Sequence, residues 1–152
     1  MPITARQKLL VQQSFAKVEP IADQAAIMFY AKLFEYDPSL KVLFTKSMTQ
    51  QGQMLMATLK VAVKSLDDID GLVGVLQKLA DRHLQYGVKI EDYTPVGNAL
   101  LYTLKTGLGP AFTLELRKAW IAVYRTVAQV MRTQAYPQYD AKRYKNTKHY
   151  QR

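Results

Sequence analysis

Apolar residues recur along this chain at intervals of three and four, the period of helices that lay one face on a core. Thr4 and Gln7 have capping-box spacing, and Leu10, Val11, Phe15 and Val18 follow at helical intervals. Pro20 interrupts that run and suits the first turn of a second helix, where its missing N–H costs nothing. Ile21, Ala25, Met28, Phe29 and Leu33 form the stripe of that helix. Asp37 and Pro38 mark a stop and restart before the short set Leu40, Leu43 and Phe44. A third long helix is predicted over about 49–66, with the face Met48, Gln51, Leu55, Leu59, Ala62 and Leu66. After a turn at 67–71, Ile69, Leu72, Val73, Leu76, Leu79, Ala80 and His83 share the next face, which Gly87 ends. Asp92 is placed to cap a helix running to about Leu108, with Pro95 in its first turn. Gly107, Gly109 and Pro110 form a break. Thr113 then caps a last helix with the stripe Leu116, Trp120, Val123, Tyr124, Val127 and Met131.

No segment sustains a two-residue alternation, so no sheet is expected. The prediction is an all-α domain of about six long helices with short connections, more than a simple four-helix bundle holds. The boundary falls near 134. From 135 to 152 the chain is polar, basic and tyrosine-rich, with almost nothing aliphatic to bury, and is expected to be a mobile tail or a frayed helix extension.

Composition narrows the chemistry. The chain has 152 residues, ordinary for one domain, and no cysteine, which removes disulfides, thiolate metal sites and thioether-linked haem. No signal-like leader is read in 1–8, and no apolar run approaches the roughly 20 residues of a membrane span. A cytoplasmic location is expected. The net charge is +9, of which the 135–152 segment carries a net +4. That excess favours anionic surfaces, but no helix clusters Arg, Asn or Gln in the manner of a nucleic-acid reader, so no nucleic-acid partner is expected.

Two histidines are present, in different settings. His149 lies in the basic tail and reads as solvated. His83 lies on an apolar face four residues after Leu79. A lone histidine there is more often a hydrogen-bonded core residue than a ligand. Its company changes the weighting: Tyr30, Phe44, Gln51, Leu55, His83, Val88 and Tyr93 stand in a fixed order. The stretches FYAKLFEYDP, VLF, QGQMLM, RHLQYGV and DYTPVGNALLYTL, with Ala119, Trp120 and Tyr124 in the last helix, resemble the single-domain bacterial globins and the globin half of flavohaemoglobins. The resemblance spans most of 5–131. Each piece is weak, and the ordered set is specific, because a phenylalanine after a short helix and a histidine 39 positions later rarely coincide with the rest.

The resemblance implies a globin fold around haem b, with His83 as proximal iron ligand. Neutral imidazole gives one nitrogen to iron and needs a partner for the other, and the Leu79 carbonyl is available one turn back. Phe44 matches the aromatic that packs on the haem face, a place compatible with plain core packing. Val88 and Val96 match proximal apolar contacts, and Leu55 matches the distal aliphatic that limits the ligand space. Tyr30 and Gln51 match a distal hydrogen-bonding pair, able to stabilise the partial negative charge on bound dioxygen. The alternative for Tyr30 is a core tyrosine bonded to a backbone carbonyl, and for Gln51 a surface glutamine at a helix start. Position 51 is not the histidine of many animal globins, so a second protein ligand to iron is not expected. Tyr93 matches a flavohaemoglobin tyrosine that works with a proximal glutamate. Here that glutamate position falls near Ala135, beside Gln134, and the proximal network is left without its carboxylate. Tyr124 reads as a second proximal aromatic or as core.

The function implied is reversible binding of dioxygen, nitric oxide or a similar gas, in a monomer or weak homodimer. No Gly-rich dinucleotide turn or strand–helix alternation is present for flavin or nicotinamide. Nitric oxide dioxygenase activity would therefore call on an external reductase. A sensor acting through a partner, with the basic tail as contact surface, is the third reading.

Overall fold

The structure, a computed structural model, describes residues 3–148. His149, Tyr150 and Arg152 of the sequence-predicted tail lie outside the described residues. Six helices carry the fold: α1 (Ala5–Val18), α2 (Ala22–Tyr36), α3 (Met48–Lys64), α4 (Ile69–Gln85), α5 (Tyr93–Leu108) and α6 (Leu114–Ala135). Single 3-10 turns join them, the longest being Pro38–Leu43 between α2 and α3. No strand occurs among the described residues.

Local chemistry sets most boundaries. The Thr4 hydroxyl accepts from the Gln7 amide at 3.1 Å while the Gln7 side chain accepts from the Thr4 amide at 3.0 Å, completing the predicted capping box. Thr113 accepts from the Leu116 amide at 3.2 Å and starts α6. Pro20 sits in the 3-10 turn Glu19–Ile21, so α2 starts just after it, at Ala22. Gly87 ends the run after α4 with φ +94°, a conformation that costs glycine little. The predicted third helix stops two residues early, its last turn tightening into 3-10 geometry at Ser65–Asp67.

One capping expectation fails. The Asp92 carboxylate does not cap α5. The 3-10 turn Ile90–Asp92 runs straight into that helix, so Asp92 is already helical (φ −71°, ψ −18°) rather than extended like an N-cap. Its carboxylate turns back and accepts from the Lys89 amide at 2.8 Å. Met48 and Ile69, assigned to inner faces from periodicity, are exposed at the first positions of their helices.

The principal packings are α2 on α5, α4 on α6, α1 on α6 and α2 on α3. Trp120 is almost fully buried, and its indole N–H donates to the Ser14 hydroxyl at 2.9 Å, so the largest core side chain leaves no polar atom unpaired. Gly52 lets α3 approach α2: a Cβ there would stand 2.9 Å from that of Ala26. That crossing decides what α3 presents to Tyr30.

After α6 the chain turns back over the α4–α5 loop. The Tyr136 phenol donates to the Val88 carbonyl at 2.6 Å, and the Arg132 guanidinium lies 4.5 Å from the Tyr144 ring centroid. The Thr94 hydroxyl donates to the Asn146 side-chain carbonyl at 3.0 Å, and the Lys148 ammonium reaches both Asp37 and Asp92. The sequence, read as a mobile tail or a frayed helix extension beyond 135, carries no local signal for these contacts.

Candidate functional site

The sequence-predicted residues assemble in two groups, one around the α2–α3 connection and one around the α4–α5 connection. The first is aromatic. Tyr30 and Phe34 lie one turn apart on α2, with ring centroids 6.0 Å apart, and Phe44 meets both edge-on at 5.2 and 5.4 Å. Phe44 follows the turn Pro38–Leu43 in extended backbone (φ −104°, ψ 99°), which returns the chain toward α2. Ser47 then caps α3, accepting from the Gln50 amide at 3.2 Å, and Gln51 falls in the first turn.

Because Gly52 brings α3 close, the backbone of Gln51 meets Tyr30: the phenol donates to the Gln51 carbonyl at 3.2 Å. This is the arrangement weighed against a distal role, yet the carbonyl belongs to the other member of the proposed pair. Burial pushes the Tyr30 phenol up to about 12, so it stays a neutral donor at any ordinary pH. Leu55, one turn past Gln51, is half-buried, and behind it a 10 Å³ apolar cavity reaches Phe29, Leu100 and Trp120.

The second group surrounds His83. Its imidazole is half-buried and stacks on Tyr93 at 6.4 Å between centroids, with 23° between planes. Nδ1 is buried without a hydrogen bond of ordinary geometry; the Leu79 carbonyl, one turn back, is the backbone acceptor that acts on it. Burial holds the imidazole below its usual pKa against the pull of that carbonyl, and the Arg82 charge adds to the lowering. The ring is therefore neutral at pH 7, the form in which imidazole ligates a metal.

The backbone after His83 is tied on both sides. The Val88 amide donates to the His83 carbonyl at 3.0 Å, while the Val88 carbonyl accepts from Tyr136. The Tyr124 phenol donates to the Tyr93 carbonyl at 2.5 Å. Gly97 makes room for the Tyr124 ring, since a Cβ there would come within 2.6 Å of it. Tyr124, read from sequence as proximal or core, thus supports the backbone of Tyr93. The Tyr93 phenol itself is buried with no hydrogen-bond partner. Burial raises its pKa. Val96 lies half-buried on α5 one turn past Tyr93.

The two groups approach where Gly87 stands near Leu43: a Cβ on Gly87 would lie 3.5 Å from the Leu43 methyl. Leu43, Phe44, Leu55, Leu79, Val88 and Val96 all pack on the core yet remain only half-buried. They keep apolar surface available to a flat apolar group. Among the described residues no cluster of three or more His, Cys, Asp or Glu side chains could hold a bare metal ion. A macrocycle bringing four donors of its own asks for one neutral imidazole and apolar walls, so the residues present fit haem.

Comparison with known proteins decides the family. The profile described as Globin matches residues 27–131. The chain belongs to the globin family. It is 30% identical over 143 residues to neuroglobin of Danio rerio and 29% identical to that of Chaenocephalus aceratus, each match covering 85% of this chain and 90% of the relative. Two solved structures share the fold. One is an engineered carbene transferase made from a putative nitric oxide dioxygenase of Rhodothermus marinus (24% identical, 88% of this chain and 94% of that one, TM-score 0.79). The other is a hexacoordinated haem protein of an anhydrobiotic tardigrade (20% identical, 88% and 96%, TM-score 0.80). Family membership carries haem binding and, through haem, the binding of small gaseous ligands. No helix among the described residues is long and apolar enough to cross a membrane.

Sequence reasoning missed four contributors to this globin's site. Phe34 completes the aromatic group, and its signal in the sequence is its place four residues after Tyr30, one helical turn on. Arg132 donates to the Ile90 carbonyl at 3.1 Å and lies 5.5 Å from the Tyr93 ring centroid. Tyr136 and Lys148 act on the α4–α5 loop from far along the chain. Nothing near these last three in sequence announces their partners.

Proposed function

We propose that this globin holds haem b through Nε2 of His83 and reversibly binds dioxygen or a similar diatomic gas beside Tyr30 and Gln51. The observation that carries the reading is the half-buried imidazole of His83, stacked on Tyr93 among half-buried apolar side chains, with its Nδ1 buried one turn after Leu79. Haem b would supply the iron at which the gas is held and, given an electron donor, the redox chemistry to oxidise nitric oxide.

The protein's part is positioning and electrostatics. A hydrogen bond from Nδ1 to the Leu79 carbonyl, one turn back, would orient His83 and raise its donor strength, and the stacked Tyr93 ring would limit its rotation. Phe44 would pack against the haem, and Val88 and Val96 would give it apolar walls beside His83. Leu55 limits the room for ligand. Tyr30 offers a neutral hydroxyl whose hydrogen bond to the Gln51 carbonyl, at 3.2 Å, is long for an O–H donor and readily exchanged for a more polar acceptor. The Gln51 side-chain amide supplies a second donor. His83 is the one histidine among the described residues, so none of them offers a second imidazole to the iron.

Nitric oxide dioxygenation with a separate reductase is the second reading. It is favoured by the pairing of two distal donors and by fold likeness to a putative enzyme of that kind. A cytoplasmic site fits either role.

Spectra of the purified protein with added haem, in ferric, ferrous and dioxygen-exposed forms, test the main reading. An intense Soret band that His83→Ala largely abolishes is expected; equal haem retention by that variant overturns the assignment. Steady nitric oxide consumption under air with an added reductase separates the enzyme from the carrier.

A further inference from the structure

Lys148 bridges two carboxylates, one on the connection that leads to Phe44 and one on the connection that follows His83. Its ammonium donates to Asp92 at 2.7 Å and to Asp37. All three side chains are largely buried: 23% of Lys148, 13% of Asp37 and 6% of Asp92 stays exposed. Asp37 closes α2 and starts the turn that leads to Phe44, accepting from the Ser39 amide at 3.2 Å and the Ser39 hydroxyl at 2.5 Å. Asp92 ends the loop that follows His83 and holds the Lys89 amide. Two neighbouring carboxylates repel each other in a poorly solvated place, and one ammonium between them reverses the sign of that interaction.

From this geometry we infer that Lys148 is a latch on the cofactor cleft. It joins the element carrying Phe44 to the loop that follows His83 and so slows the loss of haem. The inference rests on the haem reading above. A flat group held between those two elements leaves when they part, and Gly87 near Leu43 marks the same seam. The chain from 136 to 148 is the arm of the latch, anchored by Tyr136 on Val88 and by Asn146 on Thr94. Lys148 acts through Asp37 and Asp92, neither of which is proposed to meet haem. It is a positioning residue.

Two readouts test it on the full chain: transfer of haem to excess apomyoglobin, followed by absorbance, and hydrogen exchange of the amides in 86–92. Exchange is measured with and without haem. Lys148→Met is expected to speed haem loss on the order of three- to tenfold, the scale of one partly buried ion pair. It should also raise exchange in 86–92, while Lys148→Arg keeps both near the unaltered protein. Asp37→Asn should move both readouts in the same direction as Lys148→Met, by less. Unchanged haem loss together with unchanged exchange in Lys148→Met overturns the latch. Equal acceleration in the Met and Arg variants overturns its ionic basis. If the unaltered protein takes up no haem, the haem reading falls by itself, and exchange in the haem-free chains decides whether Lys148 holds the loop.

Discussion

The two walls of the candidate site are built on different principles. The wall around Tyr30 is made by packing: Phe29, Tyr30, Phe34 and Phe44 meet ring to ring, and the Tyr30 phenol donates to a backbone carbonyl. The wall around His83 is made by hydrogen bonds to backbone. The carbonyls of Val88, Ile90 and Tyr93 accept from Tyr136, Arg132 and Tyr124, all on or beyond α6. A packed aromatic wall tolerates the exchange of one polar atom, because its shape survives. A loop held through its carbonyls does not, since each lost donor leaves a poorly solvated acceptor. Ligand chemistry is thus expected to be tunable from the Tyr30 side and cofactor retention from the His83 side.

The sharpest test of that division removes the imidazole. His83→Ala is expected to lose most bound haem, read as the Soret absorbance retained after gel filtration, while Tyr30→Phe keeps it. Retention by both would erase the contrast. Next in size is Tyr30→Phe itself. Without the hydroxyl, dioxygen release measured by stopped flow should speed by roughly one to two decades. An unchanged rate removes Tyr30 from the ligand's surroundings. Gly97→Ala sits on the opposite wall. Its methyl would meet the Tyr124 ring at 2.6 Å, and the expected cost is about 1–3 kcal/mol in urea unfolding, with little change in dioxygen release for whatever haem is bound.

Tyr136→Phe is a smaller change. Loss of its bond to Val88 should cost about 1 kcal/mol of stability and quicken haem loss, leaving dioxygen release unaltered. The smallest effect comes from acid. Burial pushes the Asp37 carboxyl up, but hydrogen bonds from Lys148 and Ser39 outweigh it and hold the group below the usual carboxylate value. A carboxylate depressed in the folded state contributes stability that is complete above its unfolded value, near pH 4, and fades as pH falls through the lower folded value. Unfolding midpoints below pH 4 should therefore drop less steeply in Asp37→Asn than in the unaltered protein. Parallel curves would show that the pair carries no such linkage.

Much of the fold was legible because its signals are local. The capping box at Thr4 and Gln7, the cap at Thr113, the stop at Gly87 and the three–four periodicity each act within a turn or two of the residue that carries them. Tyr30, Phe44, Gln51, Leu55, His83, Val88 and Tyr93 were named differently, through the resemblance of an ordered set to a known family, and that set holds neither Phe34 nor Arg132 nor Tyr136. The local logic misplaced the Asp92 carboxylate. Aspartate before a helix reads as a cap, and only a continuous 3-10 turn reveals that the backbone is already helical and the side chain points back.

By itself, then, the sequence determined the helices, the apolar faces and the presence of one histidine among them, because periodicity and caps are short-range properties of the chain. The tertiary structure alone decided that Gly52 sets Gln51 against Tyr30, that Tyr136 and Arg132 pin the loop after His83, and that Lys148 reaches two carboxylates 111 and 56 positions away. Those contacts depend on where whole helices cross. Crossing is fixed by the summed packing of the core, which no local stretch of sequence contains.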